Sequence, residues 1–210
     1  GNRDGMLVAQ TARYINLLKR HEEQFNSTEQ PVLLISAPGR TEIGGNHTDH
    51  NRGKLLAAAV NLDTVAAVSA RDDMLVHLHS EGYPALELDL NDLTSHENEK
   101  GTTTSLIRGV AARMSQLGYK IGGFDAVATS NVASGSGLSS SAAFEVLTCA
   151  ILDKLYNNWR IDFKLRAQIA QYAENEFFGK PSGLMDQMAC AVGGIIAIDF
   201  RDPSKSEAKR

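Results

Sequence analysis

The stretch NVASGSGLSSSAAFEV, Asn131 to Val146, sets Gly135 and Gly137 and then Ser139, Ser140 and Ser141 directly ahead of an apolar, alanine-rich segment. Glycines let a backbone approach a ligand closely, and a helix N-terminus offers unpaired N–H groups with a partial positive charge. That combination suits phosphate. A plain helix cap is the simpler alternative, but one cap uses one hydroxyl, and a run of three leaves hydroxyls to reach an oxygen or a metal. The loop is not a Walker A loop, because no Gly-Lys-Ser/Thr follows. Nor is it a dinucleotide fingerprint, because Ser140 stands where the third glycine belongs.

An anionic ligand must be held locally here, since the net charge of -4 argues against a nucleic-acid binder with a basic face. No apolar run approaches the roughly 20 residues that span a bilayer, and nothing resembles a signal peptide. Cys149 and Cys190 lie in apolar surroundings without metal-type spacing, which predicts buried, reduced thiols in a soluble cytoplasmic protein. The sequence carries no signal for an oligomeric state. Its non-methionine start and its polar end, RDPSKSEAKR, suggest part of a longer polypeptide.

Hydrophobic spacing over TARYINLLKRHEEQF predicts an N-terminal helix, followed by the polar loop NSTEQ. PVLLISAPGR reads as a short strand ending at the Pro38-Gly39 turn signal. KLLAAAVNLDTVAAVSARDD reads as a buried strand pair, and MLVHLHSEG alternates Leu75, His77 and His79 against Val76 and Leu78 as a strand. TTTSLIRGVAARMSQLGY opens on hydroxyl caps and stops at Gly118, a helix. GFDAVATSNV is a strand feeding the glycine and serine stretch. Leu138 to Tyr156 and Phe163 to Phe178 read as two long helices, and GGIIAIDF as a closing strand. With no repeat or linker dividing this succession, the expected fold is one α+β unit, a mixed or antiparallel β-sheet covered by helices.

Two further stretches carry chemistry. GRTEIGGNHTDHN places Arg40, Glu42, Asn46, His47, Asp49 and His50 in one glycine-rich loop. Its glycines deny the helix on which an i, i+3 histidine pair would hold a metal. Asn46 and Asp49 can instead each engage two hydroxyls of a sugar. FFGKPSGLMDQMACAVGG sets Asp186 on a glycine-rich turn after a helix bearing Glu174 and Glu176. An acid in the first turn of a helix is the bland alternative for Asp186.

Taken together, the three stretches resemble the galactokinase branch of the GHMP small-molecule kinases. GRTEIGGNHTDHN matches the signature Gly-Arg-Val-Asn-Leu-Ile-Gly-Glu-His-Thr-Asp-Tyr-Asn at Gly39, Arg40, Gly45, His47, Thr48, Asp49 and Asn51. ASGSGLSSSA matches the phosphate loop Pro-x-Gly-x-Gly-Leu-Ser-Ser-Ser-Ala, with Ala133 in place of the proline. GLMDQ matches the Gly-x-Met-Asp-Gln turn.

The resemblance implies a ribosomal protein S5 domain 2-like N-terminal lobe, a mixed β-sheet packed with helices, and ATP-dependent phosphorylation of a hexose at its anomeric hydroxyl. It implies a helix and linker over 1–30, the sugar- and ATP-binding lobe over 31–200, a polar tail over 201–210, and no C-terminal lobe to close the cleft. By the same resemblance, Asp186 matches the carboxylate that accepts the hydroxyl proton, and Arg40 the cation that holds it ionised and steadies the phosphoryl group. Gly135, Ser136, Gly137, Leu138, Ser139, Ser140 and Ser141 match the ATP-binding loop. Ser141 and Glu174 match the Mg2+ ligands, and Asn46, His47, Thr48 and Asp49 the sugar-binding segment. ATP, Mg2+ and a small sugar are thus the implied ligands, with no nucleic acid and no membrane.

The departures bear on substrate. Asn46 stands where the family has glutamate, and Glu42, Gly44 and His50 replace Asn, Ile and Tyr. Losing a carboxylate from a sugar pocket eases entry of an acidic or differently substituted sugar. Galactose is the first expectation, with galacturonate or N-acetylgalactosamine as alternatives. A non-catalytic sugar sensor on the same fold is the other alternative, and the intact GLSSSAA run weighs against it.

Overall fold

A computed structural model of the protein describes residues 3–26, 30–44, 54–134, 138–193, 195–199 and 207–209. In chain order these form α1 (Arg3–Phe25), β1 (Leu33–Gly44), β2 (Lys54–Ala70), β3 (Leu75–Ser80), β4 (Leu86–Asp89), α2 (Thr103–Gln116), β5 (Phe124–Ser130), α3 (Ser140–Asn157) and α4 (Phe163–Tyr172). A π-helical segment, Ala173–Phe178, continues α4, and α5 (Met185–Val192), β6 (Ile195–Asp199) and β7 (Glu207–Lys209) follow.

The strands make one mixed sheet, ordered β4-β3-β5-β2-β6-β7, with β1 along β2. β3 and β5 run parallel, and the other pairs are antiparallel. β2 is the spine. Its C-terminal half, Thr64 to Ala70, pairs with β5, while Lys54 to Ala58 pair with β6. This α+β architecture of mixed sheet and helices is the expected one.

Both faces of the central strands are covered, which explains their unbroken apolar runs. Ala66, Val68, Phe124, Ala126 and Ala128 join the main core under the helices, with Ile107, Val110, Leu147 and Leu152. The alternate residues Val65, Ala67 and Val127 meet Leu17 of α1 on the opposite face. The period-two pattern of β3 is obeyed, with Val76 and Leu78 buried between partly exposed neighbours. Thr102 caps α2 by accepting a hydrogen bond from the Ser105 N–H, and Gly118, at φ +84°, follows the helix end. Cys149 and Cys190 are free thiols in the core.

Several boundaries differ from the sequence reading. β1 does not stop at Pro38-Gly39 but runs through it, with a register shift between Pro38 and Arg40. A proline is tolerated at such an irregularity, where a ladder donor is not required. KLLAAAVNLDTVAAVSA is one 17-residue strand and not a pair, because β1 pairs with it from Leu56 to Val68 across register shifts and no turn interrupts it. Phe163 to Phe178 is continuous but changes from α to π geometry at Ala173. α5 and β4 are too short for their periodicity to register, with 8 and 4 residues. The polar end contributes β7, paired with β6. Among the described residues, no helix is long and apolar enough to cross a membrane.

α1 docks through a polar contact inside an apolar interface. His21 is fully buried, its Nε2 lying 3.2 Å from the Asp125 carbonyl oxygen and 3.1 Å from Ser69 Oγ. Nδ1 has no partner. Phe25 packs against the ring at 5.0 Å. Burial lowers the His21 pKa, outweighing the Asp125 carbonyl and carboxylate, which raise it.

Two predictions follow from this packing. Because the folded-state pKa of His21 is depressed, unfolding takes up a proton once the pH falls below the free-histidine value of about 6.5, and stability drops with it. Melting temperatures between about pH 7 and pH 5 should therefore fall more steeply in the wild type than in His21→Gln, and equal slopes would exclude the imidazole as the cause. Gly109 of α2 faces the π segment, and a Cβ there would lie 2.9 Å from Ala173 Cα, Ala173 Cβ and Phe177 Cβ. Gly109→Ala should cost about 1–3 kcal/mol in denaturant unfolding.

Candidate active site

The closest approach between the sequence motifs begins at Gly39. A Cβ there would lie 2.9 Å from the Leu138 carbonyl oxygen and 3.1 Å from both methyls of Val132. Glycine therefore lets β1 press against the loop entering α3. The next residue seals the contact, since the Arg40 N–H donates to the Leu138 carbonyl at 3.1 Å.

Arg40 then reaches across to α5. Its Nε donates to Asp186 Oδ1 at 2.7 Å, a salt bridge whose side chains are 9% and 28% exposed. Partial burial strengthens such a pair over a solvated one. Asp186 occupies the first turn of α5, where the unpaired N–H groups favour an anion. The bland alternative is thus correct as to position. The residue nonetheless has a second role, because its carboxylate is gripped from two other elements.

The second grip is Ser139, whose Oγ donates to Asp186 Oδ2 at 2.6 Å. Ser139 is the N-cap residue of α3, and the Ala143 N–H donates to its carbonyl oxygen at 3.0 Å. Its side chain makes no capping hydrogen bond, so the simple cap is overturned for this hydroxyl. The backbone of Ser139 is left-handed, at φ +57° and ψ +58°. A non-glycine residue pays roughly 1–2 kcal/mol for that conformation. Here it aims the hydroxyl away from the helix and at the acid.

A second cluster lies beside the first. Ser141 Oγ donates to Glu174 Oε1 at 3.0 Å. Glu174, buried within the π segment, also accepts from Gln187 Nε2 at 2.6 Å and Ser182 Oγ at 3.3 Å on its other oxygen. Lys180 Nζ lies 4.0 Å from Glu174 Oε1. The left-handed Gly179, at φ +81°, ends the π segment, and the Lys180 N–H returns to the Glu174 carbonyl at 3.1 Å. Glu145, fully buried on α3, accepts from the same Gln187 amide at 3.3 Å. Burial, then the nearby charge of Glu174, raises the Glu145 pKa well above the ordinary carboxylate range.

The serine mouth opens on a cavity of about 790 Å³. Ser140, Ser141 and Phe144 form one wall, Thr102, Thr103 and Thr104 at the start of α2 another, and Tyr83 and Pro84 between β3 and β4 a third. The volume is within the range of small-ligand sites. Ser141 belongs to both places, lining the cavity and bonding Glu174.

Of the residues expected from sequence, Arg40, Ser139 and Asp186 come together as one cluster and Ser141 and Glu174 as another. Leu138 supplies the carbonyl that anchors Arg40. Gly135, Ser136 and Gly137 lie outside the described residues, as do Asn46, His47, Thr48 and Asp49. Among the described residues, no group of three or more His, Cys, Asp or Glu could hold a metal ion. Glu145 and Ser182 were not singled out from sequence, and Gln187 entered only as the last residue of the GLMDQ match. The available signal was a lone acid in the otherwise apolar start of α3, and an amide next to the acid of the GLMDQ turn.

Comparison with known proteins places these clusters in a family. Residues 19–70 match the galactokinase galactose-binding signature, and residues 105–194 match the GHMP kinases N terminal domain. The chain is 36% identical to the galactokinase of Streptomyces coelicolor over 85% of its own length and 46% of that protein. It is 37% identical to the galactokinase of Pyrococcus furiosus over 81% of its length and 47% of that protein. The chain thus spans about half the length of the curated relatives it matches. A crystal structure of Lactococcus lactis galactokinase complexed with galactose superposes with a TM-score of 0.84 at 30% identity, covering 93% of this chain and 51% of that one. The Methanococcus jannaschii mevalonate kinase shares the fold, with a TM-score of 0.70 at 20% identity. With both family models falling on the segments that build the two clusters, the chain belongs to the GHMP kinases, on their galactokinase branch.

Proposed function

We propose that this chain is the catalytic N-terminal lobe of a sugar-1-kinase that transfers the γ-phosphoryl group of ATP to the anomeric hydroxyl of a hexose, galactose foremost. The observation that carries the reading is the Arg40, Asp186 and Ser139 cluster, in which three distant segments converge on one partly exposed carboxylate.

Asp186 is the proton acceptor. Arg40 occupies one lone pair of Oδ1 and Ser139 one of Oδ2, and each oxygen keeps another for the incoming proton. The two donors also fix the plane of the carboxylate. As the sugar oxygen bonds to the γ-phosphorus, its proton passes to Asp186, and the bond from that phosphorus to the bridging oxygen of ADP breaks. Arg40 would offset negative charge on the transferring group, so catalysis would rest on positioning and electrostatics.

The cavity lined by Ser140 and Ser141 is the proposed nucleotide side of the site. Ser141 Oγ and Glu174 Oε1, 3.0 Å apart, are hard oxygen donors from two elements. They fit Mg2+, which takes one or two protein oxygens and completes its shell with phosphates and water. When bound, the ion neutralises phosphate charge. Asn46, His47, Thr48 and Asp49 are the proposed sugar contacts.

In full-length protein, Asp186→Asn should lower kcat by about 10²–10⁴-fold in a coupled ADP-release assay, with little change in KM for ATP. Normal turnover in that variant would sink the assignment. Across galactose, N-acetylgalactosamine, galacturonate and glucose, the highest kcat/KM is expected with galactose. An acidic sugar ahead of it would replace galactose as the substrate and tie Asn46 to specificity.

A further inference from the structure

Glu174 does not set its own orientation. Its carboxylate can rotate, and Oε1 stays toward Ser141 only while Oε2 is held elsewhere. The hold comes chiefly from Gln187, whose Nε2 donates to Glu174 Oε2 at 2.6 Å. The same amide nitrogen donates to Glu145 Oε2 at 3.3 Å. Gln187 and Glu145 are both fully buried. They approach Glu174 from α5 and α3, and Glu145 sits four residues after Ser141, on the same face of its helix.

Among the described residues, two atoms of this trio have no hydrogen-bond partner, Glu145 Oε1 and Gln187 Oε1, and both are buried. A buried oxygen without a partner has left water with nothing gained in exchange, so each is costly. One arrangement would satisfy both. In a carboxylic acid–amide pair, the amide N–H donates to one acid oxygen while the acid O–H donates to the amide oxygen. Burial and the neighbouring Glu174 favour that protonated form of Glu145. Paired in this way, the Gln187 amide cannot flip, and its second N–H points at Glu174.

We propose that Glu145 and Gln187 are positioning residues which together fix the Glu174 carboxylate so that Oε1 faces Ser141 and the cation position between them. Neither residue is a ligand itself. The inference rests on the kinase reading for the identity of the cation, and it extends that reading from the ligand pair to the shell that orients it.

The test is titration of full-length protein with Mn2+ in the presence of a non-hydrolysable ATP analogue, followed by electron paramagnetic resonance of the free ion. Glu145→Ala and Gln187→Met should each weaken Mn2+ binding by about 10–100-fold. Glu145→Gln should stay within about twofold of wild type, because a glutamine accepts and donates at the same two places as the acid. The Gln187→Met variant fills the same volume without polar atoms, so it reports on orientation even if Glu145→Ala fails to fold. Unaltered Mn2+ binding in Gln187→Met would overturn the proposal. So would a loss in Glu145→Gln as large as that in Glu174→Gln, since Glu145 would then act through its charge. A wild-type protein that binds no Mn2+ with the analogue would overturn the kinase reading together with this inference, whereas wild-type binding with indifferent variants would overturn the inference alone.

Discussion

The ion pair between Arg40 and Asp186 is the contact on which the rest of the site depends, because it ties β1 to α5 across a sequence separation of 146 residues. Neither partner could hold that geometry alone. Arg40 is fixed at its backbone by the Leu138 carbonyl, and Asp186 by the first turn of an 8-residue helix. The pair therefore joins three separately anchored segments. Removing Arg40 takes the guanidinium from a carboxylate that is 28% exposed, a loss that costs several kcal/mol when burial is complete. Fold and candidate chemistry thus draw on the same bond.

That bond in turn needs backbones closer together than side chains ordinarily permit. Gly39 admits the loop before α3 against β1, and Gly109 admits the π segment against α2. π geometry is rare and concentrates at functional positions, since the wider turn re-aims a side chain. Here the wide turn carries Glu174, and the left-handed Ser139 carries the hydroxyl opposite Asp186. Each irregularity lies beside an ionisable group of the site. The regular elements, by contrast, hold the apolar core and the long spine of β2.

Much of this was legible in the sequence where local chemistry decides the outcome. Thr102 and Gly118 bound α2 as hydroxyl cap and glycine stop, and the alternation of β3 follows its burial. The reading failed where distant contacts override local signals. Pro38-Gly39 is a turn signal in isolation, yet β2 recruits it into a strand with a shifted register. Ser139 reads as a helix cap until Asp186, 47 residues away, claims its hydroxyl. The motif residues of the site were recognisable by type and order, whereas Glu145 and the contacts of Gln187 were hidden. An acid within an apolar helix and an amide beside Asp186 acquire meaning only when α3 and α5 are brought side by side.

The acidic side of the site runs against stability, and that opposition is informative. Glu145, Glu174 and Asp186 lie near enough that the last two raise the proton affinity of the first. A core arranged for stability alone would place apolar groups there, because desolvating a carboxylate beside others costs more than it returns. Gln187 relieves part of the strain by donating to two of the three. Arg40 and Ser139 relieve the third from the other side. The charge of Glu174, with exposed Lys180 at 4.0 Å from Oε1, is what a hard cation would offset on the proposed reading. On this argument the geometry of the site is fixed by the chain's own contacts at some cost in stability, as electrostatic preorganisation for the proposed phosphoryl transfer requires.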